Sequence, residues 1–255
     1  MEALRVESLH KDFGGVHALS DVSFSVEVGE RLGIIGPNGA GKTTLFNLIN
    51  GQLRPTSGKI YFFGRDISAM STHHRAHLGQ GRSFQIISLF PNLTVLDNTL
   101  ITLHGTKRSR FQMLRPIDSY DHLLARAQEA LEGVALWEKK DEPVKDISYG
   151  EQRRLEIALT LASEPRLLLL DEPSCGLTSA ESADITNIIH KLGRDITVLL
   201  VAHDMDLVFG VAERIIVLHY GQIIADGKPE EIQADPRVKE IYMGVEEGTE
   251  IATAG

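Results

Sequence analysis

The run Gly36-Pro-Asn-Gly-Ala-Gly41-Lys42-Thr43 constrains this chain more than any other feature. Its glycines let the backbone curl so that successive N–H groups can surround phosphate oxygens, and a helix starting at Lys42 would add its positive end at the same place. Such a loop needs a strand before it and a helix after it. The apolar residues 32–35 and the helical pattern of 42–50, stopped by Gly51, supply both. At average residue usage the pattern arises by chance in roughly one chain in a hundred of this size. Lys42 is expected on the β and γ phosphates of a nucleotide and Thr43 on magnesium, in preference to a plain glycine turn with a solvated lysine.

The rest of the chain reads as an α/β fold built around that unit. Leu4, Val6 and Leu9 suggest an opening strand, and Val22, Phe24, Val26 and Val28 alternate with polar residues as in a half-buried antiparallel strand. Residues 59–63 form another strand candidate, followed by a polar helix near 72–78. From 92 to 162 the spacing is helical, with Leu123, Leu124, Ala127, Ala130, Leu131 and Val134 on one face. The continuous apolar runs 167–170 and 196–201, separated by a helix over 180–192, suit strands buried on both faces of a mostly parallel sheet. A hairpin about Tyr220-Gly221 and short helices to about Tyr242 close the pattern. The expected fold is a phosphate-loop α/β core with a mostly parallel sheet, an N-terminal antiparallel β subdomain and an inserted helical subdomain.

Asp171 and Glu172 follow the leucine run directly. Ligands gather at the carboxyl ends of strands in an open parallel sheet. Asp171 is therefore placed to hold magnesium through its hydration shell, and Glu172 to polarise a water aimed at the γ phosphate. Alone, an acidic pair after a strand is a common turn feature. His203, after the run 196–201, could donate to the γ phosphate; its plain alternative is a cap or loop histidine. Gln85, after Arg82-Ser83-Phe84, could reach magnesium or the attacking water, although one glutamine is a weak signal.

Composition narrows the class further. With 26 basic and 35 acidic side chains the formal charge is -9, which opposes sequence-independent contact with nucleic-acid phosphates. The longest uncharged stretch, 83–96, is too short and polar to span a bilayer. A single cysteine, Cys175, permits no internal disulfide and fits a reducing compartment. Glu2, Arg5 and Glu7 do not follow the plan of a signal peptide.

The stretch Ile147-Ser148-Tyr149-Gly150-Glu151-Gln152-Arg153 precedes a helix whose Leu155, Ala158, Leu159 and Ala162 would pack inward. Ser148 and the N–H groups of that helix start make a second anion site. The stretch resembles the signature sequence of ABC-type ATPases, usually written LSGGQ. Two phosphate-binding devices in one chain suggest two ATP sites shared head-to-tail by a dimer. The resemblance covers residues 2–243. It implies Phe13 as the adenine-stacking aromatic, and Gly36, Asn38, Gly39, Ala40, Gly41, Lys42, Thr43 and Thr44 as the Walker A loop. Gln85 becomes the Q-loop, Asp171 and Glu172 Walker B, His203 the switch histidine, and Ser148 and Gly150 the groups facing the opposite chain's nucleotide. Thr43, Gln85 and Asp171 would serve magnesium. Tyr149 and Glu151 depart from the usual signature, and Thr178 stands where the D-loop generally has Asp.

Gly81-Arg82-Ser83-Phe84-Gln85, Leu93 to Asn98, Tyr149 to Ile157 and Asp235 to Gly244 are similar to the ATPase subunits of branched-chain amino-acid importers. The lipopolysaccharide-export ATPase shares much of this pattern, usually with a different segment before its Q-loop glutamine. The resemblance implies one ATPase domain over 1–243, with core 1–90 and 163–243, a helical subdomain over about 91–162, and a tail over 244–255. It implies ATP and Mg2+ as cofactors, and a cytoplasmic subunit peripheral to the inner face of the membrane. Its partners would be a second ATPase subunit, two transmembrane permeases and, indirectly, a periplasmic solute-binding protein, with no nucleic acid. A soluble ABC ATPase acting on DNA or ribosomes is the alternative from another class, and would be expected to carry a coiled coil, a basic arm or paired domains.

Three further features have bland readings. His73, His74 and His77 include a pair four apart that could ligate zinc on a helix, but no carboxylate or cysteine completes the set. Arg108, Arg110, Phe111 and Arg115 form a basic-aromatic stretch that reads as a solvated insert. Cys175 reads as a small packing residue.

Overall fold

A computed structural model describes residues 1–82, 89–105 and 121–247. The chain forms two compact units, 1–78 with 193–255, and 79–192. The helical stretch expected over 91–162 lies inside the second unit.

In the first unit, β1 (Glu2–Phe13), β2 (Val16–Glu27), β4 (Ser57–Phe62) and β5 (Arg65–Asp66) make an antiparallel sheet in the order β2-β1-β4-β5. Alternation explains its one-sided burial: Leu4 and Val6 of β1 and Val22, Phe24 and Val26 of β2 are buried. The expected strands are thus present with shifted bounds: β1 and β2 begin before their apolar alternation, β2 stops at Glu27 short of Val28, and β4 starts at Ser57 and stops short of Phe63. A second group of strands surrounds β3 (Arg31–Ile35), which pairs in parallel with β8 (Thr197–Val201) and β9 (Arg214–His219); β10 (Gln222–Gly227) returns antiparallel on β9. Every residue of β8 is buried, which accounts for its unbroken apolar sequence. At Gly33 a Cβ would lie 2.7 Å from Val208 Cγ1, so a glycine lets α7 (Met205–Val211) pack against β3.

The helix α1 (Lys42–Asn50) has the expected bounds and ends on Gly51 in the left-handed conformation, φ 85°. Its last carbonyls, those of Leu48 and Ile49, accept from the guanidinium of Arg75, at 2.7 and 2.6 Å. Arg75 sits on the polar helix α2 (Thr72–His77), yet is almost completely buried, and burial brings its pKa down to about 10. The chain's last described helices are α8 (Pro229–Ala234) and α9 (Pro236–Glu247). The helices are expected to end near Tyr242; α9 runs on through Gly244 to Glu247, the last described residue.

The second unit pairs β6 (Gln80–Arg82) in parallel with β7 (Leu167–Asp171). Its helical part packs α3 (Val95–Gly105), α4 (Asp121–Gly133) and α5 (Tyr149–Ala162) around Leu100, Leu103, Leu123 and Ala127. On α4 the expected face is largely buried, but Leu124 is 38% exposed, because a position one residue on from Leu123 turns about 100° away. The helix α6 (Ser179–His190) follows β7.

Candidate functional site

The first unit holds the phosphate loop, between β3 and α1. At Gly36 a Cβ would stand 2.1 Å from the Leu218 carbonyl oxygen, and at Gly41 it would stand 2.7 Å from that of Ala18. Gly39 and Gly41 have φ of +80° and +102°, conformations that side-chain-bearing residues rarely adopt. Helix α1 begins with no side-chain cap and no acidic residue in its first turn, so its positive end is left to the loop. A cavity of about 380 Å³ opens there, walled by Asn38 to Thr44 on one side and by Val16 to Ala18 on another, with His203 and Tyr220 also lining it. Lys42 is only 6% exposed, and its ammonium donates to the carbonyls of Gly36 at 2.6 Å and Pro37 at 3.0 Å.

Phe13 stands at the end of β1, 46% exposed, with the Lys11 ammonium 4.9 Å from its ring centre. It does not line the cavity, but its strand partner Val16 does. The Tyr242 phenol of α9 accepts the backbone N–H of Gly36; burial pushes its pKa up to about 12, against the opposing effect of that hydrogen bond. Sequence reasoning missed this contact, which joins residues more than two hundred positions apart.

In the second unit, β7 is buried along its whole length and ends on Asp171, 2% exposed. An Arg82 nitrogen lies 3.3 Å from Asp171 Oδ2. Burial lowers the Arg82 pKa and the neighbouring carboxylate opposes that. The next residue, Glu172, adopts φ +50°, a left-handed bend at a residue that is not glycine. Arg153 of α5, fully buried, gathers this bend: it donates to the carbonyls of Pro173 at 3.1 Å, Asp171 at 3.3 Å and Glu172 at 2.8 Å. Its charge is matched by Glu156 at 2.6 Å. The available signal was a charged pair three apart in a helix otherwise bound for burial. Cys175, expected to pack, is exposed beyond the bend.

Ser148 caps α5: its hydroxyl accepts from the Glu151 N–H at 3.2 Å, and Glu151 accepts the Ser148 N–H at 2.9 Å. Burial would raise the Glu151 pKa, but hydrogen bonds from Lys139 and Ser148 outweigh it and hold the carboxyl low. Thr178 caps α6 in the same way, with Glu181 as the reciprocal acceptor. The Glu181 carboxylate is held low chiefly by Thr178 and also accepts the Gly150 N–H, and a Cβ on Gly150 would meet it at 2.2 Å. The departure at Thr178 therefore has a local structural use.

Gln85 lies outside the described residues, as do Phe84, Arg108, Arg110, Phe111 and Arg115. His73 and His77 bring their Nε2 atoms to 3.1 Å on an exposed face, and among the described residues no group of three or more ligand side chains is found.

The sequence matches the ABC transporter family over residues 19–175 and the branched-chain amino acid ATP-binding cassette transporter family over 222–248. It is 38% identical over 248 residues to the high-affinity branched-chain amino acid transport ATP-binding protein LivG of Salmonella typhimurium, covering 94% of this chain and 97% of that one. It is also 38% identical over 245 residues to the lipopolysaccharide export system ATP-binding protein LptB of Haemophilus influenzae, covering 96% and 98%. Among solved structures, the ADP conformation of MJ1267, an ATP-binding cassette of an ABC transporter, superposes with a TM-score of 0.85 at 34% identity, covering 96% of this chain and 99% of that one.

Proposed function

The chain belongs to the ABC transporter family and is an ATPase coupled to transport, and from that premise we propose that it powers an importer of branched-chain amino acids or related small polar solutes. The import reading rests on the likeness to branched-chain amino acid ATP-binding proteins, and the observation that carries its nucleotide-binding part is the cavity over α1: glycines exclude side chains from its floor, backbone N–H groups and Lys42 supply the positive field, and His203 lines it. That donor set suits a polyphosphate. Lys42 binds the β and γ phosphates, and Gly36, Asn38, Gly39, Ala40, Gly41 and Thr44 cradle them. Phe13 flanks the base, and His203 donates to the γ phosphate. Thr43, Asp171 and Gln85 would hold Mg2+, which when bound neutralises phosphate charge. Glu172 orients the attacking water and takes its proton.

Residues 1–243 act as one ATPase domain, with the helical part over 91–162 inserted in it. Two copies, or one copy with a related ATPase, pair head-to-tail so that Ser148 and Gly150 of one face the nucleotide on the other. Among the described residues no helix is long and apolar enough to cross a membrane. Separate permease subunits would form the pathway, with this ATPase on their cytoplasmic side. A lipopolysaccharide-export role is the second reading, favoured by the equal identity to LptB. Deleting the gene and measuring labelled leucine uptake separates the two. The expected result is lost uptake, restored by the wild-type chain but not by Glu172→Gln. Intact uptake with accumulating lipopolysaccharide in the inner membrane would instead support export.

A further inference from the structure

Asp171 and Glu172 are carried by a backbone bend that the sequence does not favour. Glu172 sits at φ +50°, where a side chain crowds its own carbonyl, and such a conformation persists only when its surroundings over-determine it. The Glu172 carbonyl accepts from the Cys175 N–H at 3.1 Å and from Arg153 at 2.8 Å, and Arg153 is the side chain that ties it to its neighbours. Arg153 directs donors at three consecutive carbonyls, those of Asp171, Glu172 and Pro173, and the Glu156 carboxylate balances its charge in a site with no solvent exposure at the arginine. A planar guanidinium offers donors in a fixed fork, so it holds three acceptors in one arrangement; a lysine ammonium could satisfy some of them but would not impose that plane.

We propose that Arg153 is a positioning residue for ATP hydrolysis: it fixes the bend at the end of β7 and so sets where the Glu172 carboxylate points. The inference rests on the reading of Glu172 as the group that orients the attacking water. Arg153 does not itself touch the nucleotide. It lies on α5 about 7.5 Å along the axis from Ser148, so the helix that presents the second anion device also grips the hydrolytic bend of its own chain. Displacing a reacting group by about 1 Å can cost about 10²-fold in rate, which sets the size of effect to expect.

The test uses the full chain with Arg153→Lys, Arg153→Gln, Glu172→Gln and the Arg153→Lys/Glu172→Gln double variant. ATP turnover and the affinity for a fluorescent ATP analogue are measured for each, with thermal melts to confirm folding. Arg153→Lys and Arg153→Gln should lower kcat about 10- to 100-fold while analogue affinity stays within about threefold. In the Glu172→Gln background, Arg153→Lys should remove less than about twofold more of the residual rate, because both changes disable one group. Should Arg153→Gln not fold, Arg153→Lys decides alone. Wild-type kcat in Arg153→Lys, equal fractional losses in both backgrounds, or a loss confined to affinity each overturn the proposal. Undiminished turnover in Glu172→Gln overturns the reading of Glu172 and the proposal with it; a dead Glu172→Gln beside a fully active Arg153→Lys overturns the proposal alone.

Discussion

The phosphate loop and the end of β7 both need backbone in the left-handed region, and they reach it by opposite means. The loop uses Gly39 and Gly41, at φ +80° and +102°, where the proposed phosphate contacts are backbone N–H groups and need no side chain. The bend after β7 carries the carboxylate that the proposed function puts to use, so glycine would not serve there, and Glu172 sits at φ +50° with its carbonyl bound by the Cys175 N–H and by a buried arginine. Backbone sites can be relaxed; a side-chain site at the same φ must be braced. The brace is also more exposed to damage, since one substitution at Arg153 removes donors from three carbonyls at once.

The largest expected effect lies at the braced site. Glu172→Gln should lower steady-state ATP turnover by about 10² to 10⁴-fold while leaving nucleotide binding intact. If affinity fell instead, the division between a binding loop and a hydrolytic bend would collapse. At the loop the opposite signature is expected. Gly41→Ala places a methyl 2.7 Å from the Ala18 carbonyl at a φ alanine avoids, and should weaken binding of a fluorescent ATP analogue about tenfold or more.

A smaller effect sharpens the contrast in stability. Because the bend at Glu172 is left-handed, Glu172→Gly should melt higher than Glu172→Ala, by about 1 kcal/mol in unfolding free energy, although both lose the carboxylate. Equal melting temperatures would show that the bend is not strained. The smallest effect concerns Tyr242, whose folded pKa is raised to about 12. A raised acid is stabilising as its neutral form, so its contribution is complete below the unfolded value of about 10 and is lost as pH rises toward 12. Denaturant titrations should show the wild type losing more stability than Tyr242→Phe over that interval, and parallel curves would show that burial does not hold the Tyr242 phenol neutral.

What could be read in advance was local. The glycine pattern, the apolar strand before it and Gly51 after it placed the loop and α1 at their observed bounds, because every determinant lies within a few residues. The central runs at β7 and β8 were legible for the same reason: strands buried on both faces cannot hide their composition. Arg75 was not legible, and Arg153 gave no more than its pairing with Glu156 three residues on. Each is a charged residue on a helix that reads as partly polar, and its burial depends on carbonyls that no side-chain pattern reports. Arg75 draws on the end of α1, 26 and 27 positions away, and Arg153 on a bend 18 to 20 positions away. Leu124 and Cys175 failed in the other direction, apolar side chains left in solvent at the edge of a face and beyond a bend.

Thr178, Glu181 and Gly150 carry a consequence for how this sequence can drift. The Thr178 hydroxyl donates to the Glu181 carboxylate at 2.8 Å, and the same carboxylate fills the space a Gly150 side chain would need. Asp at 178 would still cap α6, but it would set a second carboxylate against Glu181. Exchanging Thr178 for Asp would therefore trade the Thr178–Glu181 hydrogen bond for repulsion, and moving or shortening Glu181 would make room for a side chain at 150. The three positions are physically coupled, so the effect of a substitution at one depends on the residues at the other two.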